Sequence, residues 1–235
     1  MKISKLISYS AFAIIASFLI ISSASIYFST TETANSIDGV VKYVNIGSPQ
    51  PYIGFCLMGN AKGVIPSSIS IMNQTITLNP GENISKLLNL PINISRMTEK
   101  GFPFSSMSLF VSDAVYGALF LMNFTAYKGG FSMNIPAIFS NITSTKVTTA
   151  NESSGQAFLS LGFRVLIPLF FQASRMLIYD GPSLIGNFSL QNYSGIFNKG
   201  NVNLSGIIHI PEGQSINSVL KNLVFSMNGL KWSAS

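Results

Sequence analysis

Charge is what this sequence has least of. Lys and Arg number 14 and Asp and Glu 8 in 235 residues, together 9%, against about 25% in an average globular domain. The net charge is +6, and Lys2 and Lys5 near the N-terminus supply two of those six. The remaining basic residues form no cluster of four or more, which excludes the basic stripe of a nucleic-acid-binding surface. Carboxylates lose their charge below about pH 4, so a chain with few of them changes little in acid. An acidic exterior is the expected setting.

Cysteine and histidine are almost missing as well. The single Cys56 excludes an intramolecular disulfide and reads as a small buried apolar side chain. One cysteine and one histidine, His209, do not make a zinc site. His209 stands among Ile207, Ile208 and Ile210 and reads as a strand residue. There is no G-x-S-x-G elbow, no P-loop and no G-x-G-x-x-G. Of the eight carboxylates, Asp113 stands out for its apolar flanks, and the expected role is a hydrogen-bonded buried acid or an outward strand residue. No enzyme active site, cofactor or metal is expected.

What is present begins with a leader. Lys2 and Lys5 precede the apolar run AFAIIASFLII of residues 11–21, and Ser22-Ser23-Ala24 offers small residues for cleavage after Ala24. This is the pattern of a secretory signal peptide over residues 1–24. No charge occurs between Lys5 and Glu32, a length that also suits an uncleaved membrane anchor. In either case the rest of the chain is expected outside the cell. The leader lacks the Gly or Ala that prepilin leaders place after the basic residue; Leu6 follows Lys5.

The second positive feature is a set of nine Asn-x-Ser/Thr acceptors, at Asn73, Asn83, Asn93, Asn123, Asn141, Asn151, Asn187, Asn192 and Asn203, none with Pro in the middle. Chance would give roughly four. In seven of the nine the middle residue is apolar or aromatic: Ile84, Ile94, Phe124, Ile142, Phe188, Tyr193 and Leu204. In a strand, residues i and i+2 share a face and i+1 takes the other. The acceptor would then face out while the middle residue enters the core, as a half-buried antiparallel strand requires. A surface of amides and hydroxyls with N-linked glycans would supply the solubility that charge does not.

The rest reads as short strands between Gly/Pro turns, an all-β fold of β-sandwich type, immunoglobulin-like or jelly-roll-like. Residues 25–48 read as an extended N-terminal segment, with Ile26 and Phe28 on one face, Val40, Val44 and Ile46 on another, and a turn at Asp38-Gly39. The head domain is expected over residues 49–235. Within it the alternation changes parity at Asn73, which predicts a bulge or tight turn. Turns are expected at Asn79-Pro80-Gly81 and Asp180-Gly181-Pro182, and core strands over 156–179. Residues 105–127 suit two strands or one helix. The aromatics, 18 Phe, 8 Tyr and 1 Trp, are spread through the apolar strands and read as core rather than as a sugar-binding platform.

The basic leader, the scarcity of acids, the lone cysteine and the many sequons in Ile/Ser-rich strands resemble the thread filament subunits of thermoacidophilic, Sulfolobus-type crenarchaea. The resemblance is one of style over the whole chain and rests on no diagnostic motif. It implies a glycosylated β-sandwich head whose N-terminal extension enters the next subunit as a missing strand. The donor residues would be Ile26, Phe28, Val40, Val44 and Ile46, and the groove would lie between head strands from Pro49 onward. Such an open head-to-tail contact makes a homopolymer, an extracellular filament for adhesion or for contacts with the cell surface or S-layer. A membrane-anchored, glycosylated surface or binding domain is the alternative, and a secreted acid-active hydrolase a remote one.

Overall fold

The computed structural model describes residues 2–61, 67–71, 74–99, 101–119, 122–151 and 155–233. Strands dominate, as expected, but the chain opens with a long helix, α1 (Lys2–Asn35). Next come β1 (Asp38–Asn45), β2 (Tyr52–Asn60), β3 (Ser67–Ile71), β4 (Gln74–Leu78) and β5 (Asn83–Pro91). A short helix α2 (Ile94–Thr98) precedes β6 (Met107–Leu119), β7 (Met122–Ile135), β8 (Phe139–Asn151), β9 (Gln156–Val165), β10 (Leu169–Phe170), β11 (Arg175–Asp180) and β12 (Ser183–Ser189). After a 3-10 turn at Gln191–Tyr193 come β13 (Ile196–Phe197), β14 (Gly200–His209), α3 (Ile216–Lys221), β15 (Leu223–Met227) and β16 (Leu230–Ser233).

Among the described residues the strands form three sheets, of orders β13-β10-β1-β2-β5, β16-β15-β11-β12-β14-β9-β8 and β4-β3-β6-β7. The chain divides into two compact units. Unit 1 holds Met1–Val40, Leu57–Lys86 and Leu109–Met133; unit 2 holds Val41–Cys56, Leu87–Ser108 and Asn134–Ser235.

Unit 1 contains α1 and most of the four-stranded sheet. β3 and β4 pair antiparallel with Ile69 opposite Ile76 and Ile71 opposite Gln74. The parity change read at Asn73 lies outside the described residues. Ile69, Ile71, Ile76 and Leu78 are all buried. β6 and β7 resolve the two-strand-or-helix alternative over 105–127 as strands. The helix buries one stripe: Ile26, Thr30, Thr33 and Ala34, spaced i, i+4, i+7, i+8 as one helical face requires. The threonines are buried at no loss because each hydroxyl donates to a carbonyl one turn back, Thr30 Oγ1 to Ile26 O (2.7 Å) and Thr33 Oγ1 to Ser29 O (2.8 Å).

Unit 2 is built on the antiparallel seven-stranded sheet. In β9 Ala157, Leu159, Leu161, Phe163 and Val165 are buried, while Phe158 and Arg164 are exposed, the period-2 pattern of a half-buried strand. Aromatic rings fill the core. Phe139 meets Phe163 at 4.8 Å and Trp232 at 5.4 Å between centroids, and Phe188 stacks on Phe225 at 6.1 Å. Phe163 on β9 also meets Phe197 on β13 at 5.7 Å, nearly perpendicular. Rings of the seven-stranded and five-stranded sheets therefore share one core, each contact adding about 0.5–1.5 kcal/mol beyond burial.

Several sequence expectations need correction. Residues 25–35 are helical, not extended, because the apolar run continues into a stretch whose Ser and Thr hydroxyls are satisfied inside the helix. Asp38-Gly39 opens β1 rather than making a turn, with the Gly39 N–H donating to Asp38 Oδ1 (2.7 Å). Asn93 is the N-cap of α2, not a strand residue; its Oδ1 accepts from the Arg96 N–H at 3.1 Å. Cys56 is half-buried on β2 rather than in the core.

Candidate membrane anchor and glycan acceptors

Two lengths of α1 differ in surroundings. Over residues 7–25 every large apolar side chain is exposed, Phe12 to 72% of its surface, whereas Ile26 is at 3%. At 1.5 Å per residue, residues 7–25 extend about 28 Å, close to the roughly 30 Å hydrocarbon core of a bilayer. The helix is long and apolar enough to cross a membrane. It runs unbroken through Ser22-Ser23-Ala24, and the buried stripe starts two residues later. Its C-terminal end is held at Ser36. The Ser36 hydroxyl lies 2.8 Å from Thr33 O and 2.9 Å from Asn60 O, and accepts the Asn60 N–H at 3.0 Å.

The five donor-strand candidates separate. Ile26 and Phe28 both lie on the helix, the first buried and the second exposed. Val40, Val44 and Ile46 do not share a face: Val40 is exposed, while Val44 and Ile46 are buried. Burial along β1 passes from Gly39 and Val41 to Val44 and Ile46, a change of parity inside the strand. β1 pairs in this same chain, parallel to β10 through Val44 with Leu169 and Asn45 with Phe170, and has β2 as its other neighbour.

Among the acceptor asparagines, Asn73 lies outside the described residues. Asn83 on β5, Asn93 at the cap of α2, Asn192 in the 3-10 turn and Asn203 on β14 are exposed, and Asn187 on β12 is half-exposed. Asn123 falls in β7, and Asn141 and Asn151 in β8. The residues following four of these, Ile84, Ile94, Phe188 and Leu204, are buried. In strands this interleaving follows from the pleat; at Asn93 it follows from the cap, which turns its carboxamide outward as Ile94 enters the helix. Asn203 stands beside Gly162 of β9, where a Cβ would come within 2.9 Å of its Oδ1 and 2.5 Å of Ser144 Oγ. A side chain at Gly162 would displace the acceptor. The Asn83 Oδ1 accepts from Asn60 Nδ2 at 3.0 Å, which leaves the Asn83 Nδ2, the atom to which an N-linked glycan would attach, outside that bond.

Asp113 is buried on β6, opposite Ile71 of β3. Its Oδ1 has no hydrogen-bond partner, and burial raises its pKa above the usual 3.8. His209 is exposed at the end of β14. Among the described residues no group of three or more His, Cys, Asp or Glu is placed to hold a metal ion.

Sequence reasoning missed the buried helix stripe. Its signal was legible, since Ile26, Thr30, Thr33 and Ala34 keep helical spacing, but two threonines interrupt its hydrophobicity. Comparison of the chain with family models, with curated proteins and with solved structures found no match.

Proposed function

We propose that this is a membrane-anchored, N-glycosylated surface protein, with the first part of α1 in the bilayer and a β-rich body outside the cell. The observation that carries this reading is the change of environment along one unbroken helix. Residues 7–25 expose apolar side chains on all sides over a bilayer's thickness, which water penalises at about 25 cal/mol per Å². Lys2 and Lys5 at its start favour a cytoplasmic N-terminus. The exposed asparagines at 83, 93, 192 and 203 are the glycan acceptors, and the scarcity of charge suits an acidic exterior. The seven-stranded and five-stranded sheets, meeting through Phe163 and Phe197, are read as the faces of a sandwich.

A second reading, an extracellular filament subunit, is favoured by β1. Val44 and Ile46 are buried between β10 and β2, so exchange of β1 between copies would empty one groove and fill the next. That route requires release of the leader, by cleavage after Ala24.

The test is mass spectrometry of native material combined with membrane fractionation. A chain that retains residues 1–24, resists extraction at alkaline pH and carries hexose on several acceptors supports the anchor. Chains beginning at Ser25 and found in fibres by negative-stain electron microscopy transfer the case to the filament. Unmodified asparagines would remove the glycoprotein part of either reading.

A further inference from the structure

Most aromatic side chains are core, but some in unit 2 are not, and three of these come together. Tyr43 on β1, Tyr52 on β2 and Phe170 on β10 lie on the outer face of the five-stranded sheet, opposite the face that buries Val44, Ile53, Phe55 and Leu169. Tyr43 and Tyr52 are half-buried and Phe170 keeps 36% of its surface exposed.

Their geometry is specific. A Cβ built on Gly54 of β2 would come to 2.3, 2.4 and 2.7 Å from Cζ, Cε1 and Cε2 of Tyr43. The hydroxyl end of the Tyr43 ring therefore lies directly over the Gly54 backbone, with one face against the sheet and the other turned outward. Only glycine leaves room for it. Tyr52 and Phe170 stand almost perpendicular to that ring, at 76° and 74°, with centroids 6.2 and 5.3 Å away. The three rings make a tray: a flat floor with two upright walls.

Amides line the same face. The Tyr43 hydroxyl donates to Asn89 Oδ1 of β5 at 3.2 Å, and Asn45 Nδ2 donates to the Tyr52 hydroxyl oxygen at 3.0 Å. Asn45 is itself fixed, its Oδ1 accepting the Gly47 and Ser48 N–H groups at 2.9 and 3.1 Å. The Tyr43 and Tyr52 hydroxyls also pair with one another, and the Asn89 NH2 is left for a ligand. None of the six residues carries a charge. Burial, and then the neighbouring Tyr52, holds the Tyr43 phenol above its ordinary 10.0, so it stays neutral.

We propose that this tray is a binding site for a neutral saccharide. The axial C–H face of a pyranose carries partial positive charge and matches the negative face of the Tyr43 ring. Ring hydroxyls at its edge match the amide and phenol groups, and the absence of charge selects against sulfated or uronic sugars. Aromatic side chains with a few fixed polar groups are the usual lining of a small-ligand site. The site is independent of how the chain is anchored.

The experiment uses the full chain in lipid nanodiscs, free of sugar-headed detergents. Short gluco- and manno-oligosaccharides are screened by saturation-transfer NMR and titrated by calorimetry, with a sulfated oligosaccharide alongside. The expected result is binding of at least one neutral series, with saturation strongest at the pyranose C–H protons. Tyr43→Ala is expected to weaken it about tenfold or more, as loss of a central aromatic contact does, and Tyr43→Phe by about threefold or less. If Tyr43→Ala lowers the melting temperature, Asn89→Ala on the exposed strand face is read instead, with a loss of about threefold or more. Four results would overturn the proposal: no neutral saccharide binds, the sulfated one binds best, the variants bind as the parent does, or Tyr43→Ala changes only the association of the chain with copies of itself.

Discussion

The two lengths of α1 share a backbone and differ in what they demand of their surroundings. Residues 7–25 are apolar around the whole helix and exposed, whereas residues 26–35 present one buried stripe, broken by two threonines. An all-round apolar helix needs a solvent other than water, and a striped one needs a protein face. The join lies within two residues of the cleavage site read in the sequence. Cutting after Ala24 would remove the exposed apolar length and leave the one with the buried stripe.

The comparison breaks most visibly if the first length is made polar. Ile14→Asp combined with Phe18→Asp places two carboxylates mid-helix, each costing roughly 2.5–3.5 kcal/mol in a bilayer centre. The full chain is expected to move from the membrane pellet to the soluble fraction, with the melting temperature of the body unchanged. If the double variant still pellets, these residues do not lie in lipid.

The second length answers to a different measurement. Ile26→Ala removes a buried side chain and is expected to cost about 2–5 kcal/mol in denaturant unfolding. The matched control Ile15→Ala, on the exposed length, is expected within about 0.5 kcal/mol of the parent. Equal effects at the two positions would mean that the helix is one environment and not two.

The sequence made the β-rich class legible because strands leave a period-2 trace, as in β9, and because Gly and Pro marked the turns at 79–81 and 180–182. The outward acceptors were legible for the same reason: Asn83, Asn187 and Asn203 alternate with Ile84, Phe188 and Leu204. The end of the helix was not. Residues 25–35 are rich in Ser and Thr, which read as loop or strand, and only tertiary burial together with carbonyl bonds one turn back keeps them helical. Asn93 was misread because a cap and a strand put the same residue outward. The tray was hidden because nothing in the order of residues says that Tyr43 lies over a glycine eleven positions away.

How a polar group is buried separates the helix from the sheet of unit 1 in a further way. Thr30 and Thr33 spend their hydroxyls on carbonyls of their own helix, while Asp113 has an oxygen with no partner. Burial raises the Asp113 pKa in the folded state, so folding binds its proton more tightly than the unfolded chain does. The stability this contributes is complete below the unfolded value near 3.8, and is lost as pH rises through the raised folded value. The melting temperature is expected to fall over that range of rising pH, and Asp113→Asn to flatten the fall. A variant with the same pH slope as the parent would show that Asp113 is not its source, and an acid-stable body would need another cause.

The smallest expected effect lies at Ser36, where the helix ends. Its hydroxyl accepts the Asn60 N–H and lies within donating reach of both Thr33 O and Asn60 O, so it ties the end of the helix to β2. Ser36→Ala leaves the Asn60 N–H without its acceptor, and a net bond of this kind is worth about 1 kcal/mol. Ser23→Ala, on the exposed length, removes a hydroxyl with no such tie and is expected to leave stability unchanged. Denaturant midpoints of the two variants measure how firmly the end of the helix is held by the body. A loss at Ser36 well below that at Ile26 would assign the attachment to the apolar stripe, with the hydrogen bonds fixing only where the helix stops.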